Sequence, residues 1–96
     1  MKVKVQYLLW LAQKAGVSEE FVDVEENSTI AGLLEKLIKI KPPVLADVLK
    51  GVLEGRSDII VLHNSRTPLK GLLTSLKDGD TVTLIPPVSG GSDLNL

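Results

Sequence analysis

One stretch near the C-terminus decides the fold: Asp78-Gly79-Asp80-Thr81-Val82-Thr83-Leu84-Ile85-Pro86-Pro87-Val88-Ser89-Gly90-Gly91. Its first three residues predict a tight turn, because Gly79 is free to adopt a positive φ. The next five predict a short strand, which Pro86-Pro87 ends because proline has no N–H for a sheet. Gly90 and Gly91 then form an arm that can enter a narrow slot in a partner, since neither residue carries a Cβ.

The arm is followed by Ser92-Asp93-Leu94-Asn95-Leu96. Any chemistry at the carboxyl group of Gly91 is blocked until these residues are removed. The chain is therefore divided into a domain at residues 1–87, a Gly-Gly arm at 88–91, and a C-terminal extension at 92–96. We expect the extension to be removed or disordered.

The composition argues against several classes of function. The 96 residues suit a single domain, and with no cysteine and one histidine the chain offers neither a disulfide nor a thiolate metal site. The 11 basic and 12 acidic residues leave no basic surplus for neutralising phosphates, so nucleic acid is not an expected partner. The apolar runs are too short to span a membrane. We expect a soluble, cytoplasmic domain with no bound cofactor and no metal.

Two strands are predicted in the N-terminal part. Residues 1–7 alternate apolar and polar side chains, which indicates a half-buried strand. Residues 8–16 lose this alternation and stop at Gly16, as in a short helical turn or a connecting loop. Residues 21–24 resume strand character, and their closeness in sequence to the first strand predicts antiparallel pairing.

The middle of the chain predicts two helices. The main one carries an apolar stripe with helical spacing at Ile30, Leu33, Leu34, Leu37 and Ile38. Ser28 or Thr29 is placed to cap its first turn, and Pro42-Pro43 is expected to end it. A similar spacing from Val44 to Leu53 predicts a second, shorter helix before Gly55.

Residues 58–63 are almost continuously apolar and β-branched, which favours a central strand covered on both faces. Asn64-Ser65 is expected to turn the chain back. Apolar anchors in an irregular or briefly helical segment are expected at Leu69, Leu72, Leu73 and Leu76. Together these elements predict an α+β fold with a mixed four- to five-stranded sheet, packed on one main helix and a short second helix.

Over residues 1–91 the chain resembles the ubiquitin-like β-grasp sulfur carriers of the MoaD/ThiS type. It is most similar to the small subunit of molybdopterin synthase, and the thiamine-pathway sulfur carrier is a more distant relative. The resemblance lies in residues 29–34 at the start of the main helix, residues 76–82 before the last strand, and residues 86–91. The last of these, Pro-Pro-Val-Ser-Gly-Gly, is the most specific.

The resemblance implies a function. In that family an E1-like adenylating enzyme uses ATP to activate the terminal glycine carboxylate, which is then converted to a thiocarboxylate. The arm enters the large subunit of molybdopterin synthase and delivers sulfur for molybdenum or tungsten cofactor biosynthesis. Carried over to this chain, Gly91 would bear the sulfur, Gly90 would keep the arm thin, and Pro87, Val88 and Ser89 would contact the partner.

The extension leaves three interpretations open. A processing protease could cut after Gly91, the chain could have lost carrier activity and kept the fold as an interaction module, or the extension could be an artefact. A different class of function is protein modification, in which a lysine amine attacks activated Gly91. Sulfur transfer and conjugation both begin with the acyl-adenylate, so the sequence does not separate them.

The remaining candidate residues receive structural roles. Tyr7 and Trp10 are expected to pack in the domain, and His63 to be a satisfied polar residue at the end of its strand. No carboxylate or cysteine stands near His63 in the sequence, which argues against a catalytic or metal-binding role. Arg66 and Lys70 could attract an acidic partner, but isolated surface charges usually contribute little.

Overall fold

A computed structural model describes residues 1–87. The strands are β1 (Lys2–Tyr7), β2 (Glu19–Asp23), β3 (Ile60–His63) and β4 (Thr81–Ile85). The helices are α1 (Trp10–Ala15), α2 (Ile30–Ile40) and α3 (Pro43–Leu53), and a single 3₁₀ turn spans Gly71–Leu73.

The four strands form one mixed sheet in the order β2-β1-β4-β3. β1 is antiparallel to β2 and parallel to β4, and β4 is antiparallel to β3. The two central strands are thus the first and the last in the described part of the chain. The expected α+β class and the antiparallel pairing of the first two strands are confirmed.

The core lies between one face of the sheet and the helices. The alternation in β1 buries Val3, Val5 and Tyr7, whereas the intervening side chains point to the opposite, open face. From α2 the expected stripe contributes the fully buried Ile30, Leu33, Leu34 and Leu37. Leu45 and Leu49 of α3 and Leu11 of α1 complete this layer. The domain therefore has one covered sheet face and one open face.

The helix ends follow from local chemistry. The Thr29 hydroxyl caps α2, accepting a hydrogen bond from the Gly32 N–H at 3.1 Å. Pro43 is the first residue of α3, a position where the missing N–H costs nothing, so α2 already ends at Ile40. Both helices have 11 residues, so the expectation of a shorter second helix is wrong. Residues 8–16, expected to form either a short helical turn or a connecting loop, contain the helix α1.

The expectation of a central strand at residues 58–63 is wrong. β3 begins only at Ile60, pairs with β4 alone and forms an edge of the sheet. Ile60 is 52% exposed on the open face, whereas Ile59 and Val61 pack against the core. An apolar run is typical of buried strands, but here its side chains divide between core and surface. The expected turn at Asn64-Ser65 is confirmed, and both residues adopt positive φ.

Only part of the leucine segment that follows is anchored. Leu76 is buried in the core and Leu72 is partly buried against it, as expected. Leu69 and Leu73 are 96% and 72% exposed, so the expectation is wrong for these two residues. The segment is held instead by Thr74, a buried residue whose hydroxyl accepts a hydrogen bond from the Lys70 N–H at 2.9 Å.

Tyr7 connects the sheet to the end of α2. Its hydroxyl donates to Glu20 Oε2 at 2.7 Å, and the same oxygen lies 2.9 Å from Lys41 Nζ. Burial, followed by the hydrogen bond with Glu20, raises the pKa of the Tyr7 hydroxyl. The predicted packing role of Tyr7 is confirmed, whereas Trp10 remains 39% exposed and packs only in part.

Both sheet edges are partly occupied by other groups. The ammonium of Lys36 donates to the carbonyl of Asp23 at the end of β2. At the other edge, the His63 N–H donates to the Arg66 carbonyl at 2.7 Å. None of the helices within residues 1–87 has the length and apolar character needed to cross a membrane.

We expect Leu37→Ala to lower the free energy of unfolding by about 2–5 kcal/mol, since it opens a cavity in a fully buried layer. Ile40→Ala removes an apolar side chain from the same helix. Because Ile40 is 54% exposed, this change should lower the free energy of unfolding by only about 0.5 kcal/mol. Urea unfolding of both variants is the measurement. Equal losses would contradict the assigned position of the core.

Candidate functional site at the root of the C-terminal arm

The arm leaves the domain from the end of β4. Leu84 is fully buried, Pro86 is buried, and Pro87 is exposed. The chain thus passes from core to surface across two prolines whose φ angles are fixed by their rings. Of the predicted site residues, Pro87 lies at this surface position. Val88, Ser89, Gly90 and Gly91 lie outside the described residues, and their roles stay predictions.

The start of β4 is held by the carboxylate of Asp80. Its Oδ2 accepts hydrogen bonds from His63 Nε2 at 2.7 Å and from the Lys77 N–H at 2.8 Å, and its Oδ1 accepts one from Asn64 Nδ2 at 3.1 Å. His63 is a satisfied residue at a strand end, as expected. It does have a carboxylate partner, however, 17 residues away in sequence, which its sequence neighbourhood did not reveal.

Backbone hydrogen bonds tie the same point to both neighbouring strands. On one side the Lys4 N–H donates to the Asp80 carbonyl at 2.9 Å. On the other side Asn64 pairs twice with Thr81, through its N–H to the Thr81 carbonyl and through its Oδ1 to the Thr81 N–H, both at 2.8 Å. The register of β4 is therefore determined at its first residue, and with it the point where the arm emerges.

The charge of Asp80 contributes to this arrangement. Burial raises the pKa of its carboxyl, but the hydrogen bonds from His63, the Lys77 backbone and Asn64 outweigh burial, and the pKa is lowered from its ordinary value. Asp80 therefore stabilises the folded state most in its ionised form. The same interaction connects the turn before β4 to the end of β3.

The open face of the sheet carries an exposed apolar side chain on each edge strand, with Ile60 at the exit end of β4 and Phe21 level with its start. Register places Ile60 opposite Ile85, and Phe21 opposite Lys4, on the face that the helices do not cover. Phe21 is 65% exposed and Ile60 is 52% exposed. Phe21 is not among the site residues expected from the motifs, but Val22 and Val24 are buried, so alternation alone indicates that Phe21 points the other way.

Residues 1–87 contain no group of three or more His, Cys, Asp or Glu side chains that could hold a metal ion. A groove between β2 and α2 is lined by Val24, Lys36, Lys39 and Ile40, among others. It adjoins Asp23, which pairs with Lys2 at the end of the sheet opposite to the arm. The candidate site is therefore the exit point at the end of β4.

We expect Asp80→Asn to reduce the free energy of unfolding at pH 7 by about 1.5–3 kcal/mol, the usual contribution of hydrogen bonds to a charged group. Because the folded pKa is lowered, the stability due to ionisation is fully present above the unfolded pKa of about 3.9. It is lost as the pH falls through the folded value. The difference between variant and wild type should therefore shrink on acidification.

Urea unfolding between pH 7 and pH 2.5 measures this dependence. Asp47→Asn is the matched control, since Asp47 is exposed on α3 and should show no such profile. A constant difference between Asp80→Asn and wild type across the range would contradict the assigned role of the carboxylate.

Known proteins resemble this chain over almost its whole length. A molybdopterin synthase sulfur carrier subunit from Chlamydomonas reinhardtii is 31% identical over 91 residues, which cover 95% of this chain and 100% of that protein. Small archaeal modifier protein 1 from Haloferax volcanii is 35% identical over 81 residues, covering 84% of this chain and 91% of that one.

Structural similarity agrees with the sequence comparison. The crystal structure of SAMP1 from Haloferax volcanii superposes with a TM-score of 0.79 at 30% identity, covering 95% of this chain and 100% of that one. The expected ubiquitin-like β-grasp fold is thereby confirmed. Residues 5–91, which include the last strand and the Gly-Gly arm, match the ThiS family. The chain is a member of the ThiS family of ubiquitin-like sulfur carriers and modifiers.

Proposed function

We propose that this protein is a sulfur carrier of the molybdopterin synthase type, with Gly91 as the attachment point. In the proposed cycle a protease first removes residues 92–96. An E1-like enzyme then activates the exposed Gly91 carboxylate with ATP. The resulting thiocarboxylate donates sulfur in molybdenum or tungsten cofactor biosynthesis.

The observation that carries the proposal is the way in which β4 is held. The strand is hydrogen-bonded on both sides, its first residue is fixed through Asp80 and Asn64, and it ends at buried Pro86 and exposed Pro87. A rigid base of this kind presents the residues that follow at a defined point. Positioning of a reacting group can contribute strongly to rate, because it avoids the entropy cost of finding the right geometry.

The chemistry proposed at Gly91 needs help from other proteins. A carboxylate is a poor electrophile until it carries a good leaving group, which adenylation provides by forming an acyl-adenylate and releasing pyrophosphate. A sulfur nucleophile then attacks the acyl carbon and AMP leaves. Within residues 1–87 there is no metal-binding cluster to supply an alternative, so the proposal assigns activation to a partner enzyme.

Two partner contacts are proposed for the carrier. Pro87, Val88, Ser89 and Gly90 would lie in the channel of the large subunit, where the absence of a Cβ at Gly90 keeps the arm thin. The open sheet face, with Phe21 and Ile60 half or more exposed, would contact the body of the same partner.

Protein modification is the second candidate function, and its supporting observation is the similarity to small archaeal modifier protein 1. In this alternative a lysine amine attacks the same acyl-adenylate and forms an amide with Gly91. The third possibility from the sequence, an interaction module with a capped arm, requires that Gly91 is never exposed. The three possibilities differ in the covalent state of the C-terminus.

We expect Gly91→Ala to reduce transfer from the activated carrier by about a hundredfold, since an added methyl group displaces the reacting carbon in a slot shaped for glycine. Gly32→Ala is a matched control, because a Cβ there meets Thr29 Oγ1 only at an ordinary 3.7 Å. Transfer by both variants is measured with the reconstituted activating enzyme and large subunit. Full activity of Gly91→Ala would exclude both carrier functions.

The intact mass of the chain isolated from its own cells distinguishes the candidates. We expect a species that ends at Gly91, with a fraction in which one carboxyl oxygen is replaced by sulfur. Recovery mainly as larger covalent adducts would favour the modifier. A population that uniformly retains residues 92–96 would contradict both and favour the interaction module.

A further inference from the structure

Four apolar side chains are exposed at the end of the sheet from which the arm departs. They are Leu8, Leu9, Trp10 and Val17, with exposed fractions of 38%, 64%, 39% and 40%. We call this group the exit patch. Exposed apolar side chains that lie together can mark a contact site.

Hydrogen bonds place the exit patch beside the last strand. The Leu8 N–H donates to the Leu84 carbonyl at 3.1 Å, so Leu8 lies where β4 ends. The Tyr7 N–H donates to the Ser18 carbonyl at 2.8 Å, which brings Val17 next to Leu8 on the neighbouring segment. Because β1 and β4 run parallel, Leu8 and Ile85 emerge at the same end of the sheet.

The backbone at Leu9 is strained. Its φ of 53° and ψ of −133° are those of the first central residue of a type II′ turn, where glycine is normally found. The turn is closed by the Leu11 N–H, which donates to the Leu8 carbonyl at 3.1 Å. A leucine kept in this conformation, with its side chain directed to the surface, is a typical sign of a functional contact.

The C-terminal extension has the composition to cover this patch. In Ser92-Asp93-Leu94-Asn95-Leu96 the two leucines are separated by one polar residue, so an extended backbone would place both on one face. The only charged residue in the extension is Asp93. One opposite charge lies at the patch, since Lys14 Nζ is 5.6 Å from the centroid of the Trp10 ring.

Chain length and glycine placement allow the extension to return. Gly-Gly is among the favoured pairs for a two-residue reversal. The nine residues from Val88 to Leu96 span up to about 30 Å when extended and follow directly from Pro87, at the end of the sheet that carries Leu8, so the patch lies within their reach.

We propose that the exit patch binds the C-terminal extension of the same chain, with Leu94 and Leu96 packed against Leu8, Leu9 and Trp10. If the proposed carrier function holds, cleavage after Gly91 would expose the reactive carboxylate and uncover the patch in one step. The docking itself needs neither sulfur nor a partner. It can therefore fail while the carrier function stands, and the reverse also holds.

Trp10 is the single tryptophan of the chain, so its fluorescence reports on the patch alone. The experiment compares the full-length chain with the full-length variant Leu94→Ser/Leu96→Ser, by emission maximum and acrylamide quenching. We expect the double variant to emit at longer wavelength and to be quenched about twofold more efficiently, because water and quencher regain one side of the ring. Asn95→Ser is the matched control and should behave like the wild type.

Each outcome decides the proposal. The expected difference, unchanged when the protein is diluted tenfold, supports docking within one chain. Identical emission and quenching in wild type and double variant overturn it. A difference that disappears on dilution also overturns it, because the extension would then bind the patch of a second copy.

Discussion

The parallel pairing of β1 with β4 is the constraint on which this structure depends. It joins the first strand to the last in the described part of the chain. The residues between these two strands therefore form a loop whose ends are held side by side. A long closed loop costs conformational entropy. Ladder hydrogen bonds and the burial of Val3, Val5, Val82 and Leu84 against the helices offset that cost.

Because β4 is central, its position is determined from both sides. Hydrogen bonds of Asp80 and Asn64 connect the start of β4 to the end of β3, and the bond from the Lys4 N–H to the Asp80 carbonyl connects it to β1. The carboxylate of Asp80 acts as a hub that accepts hydrogen bonds from three residues. This network fixes the strand that ends at Ile85, directly before Pro86 and Pro87.

Much of the fold could be predicted from local patterns. The alternation in β1, the apolar stripe of α2 and the turn at Gly79 each depend on residues close in sequence, and each was correctly identified. The edge position of β3 could not be predicted, because an apolar run does not reveal how its side chains divide between core and surface. The exposure of Leu69 and Leu73 was missed for a related reason, since irregular segments have no periodicity from which a buried face can be derived.

The candidate site also has features that the sequence predicts and features that only the fold reveals. The motif at residues 86–91 pointed to the arm, and the fold places its root at the surface by Pro87. The pairing of His63 with Asp80 could not be anticipated, since it exists only once the register of β3 against β4 is known. Phe21 on the open face could have been found from the alternation of its own strand.

The occupied sheet edges have a consequence for how the protein behaves at high concentration. An edge strand with free N–H and carbonyl groups is a template on which other chains can add strands and aggregate. Here the Lys36 ammonium donates a hydrogen bond to the Asp23 carbonyl, and the His63 N–H donates one to the Arg66 carbonyl. Each edge thereby loses one group that an incoming strand would need. The domain can thus meet its partners through side chains with less risk of polymerising through its backbone.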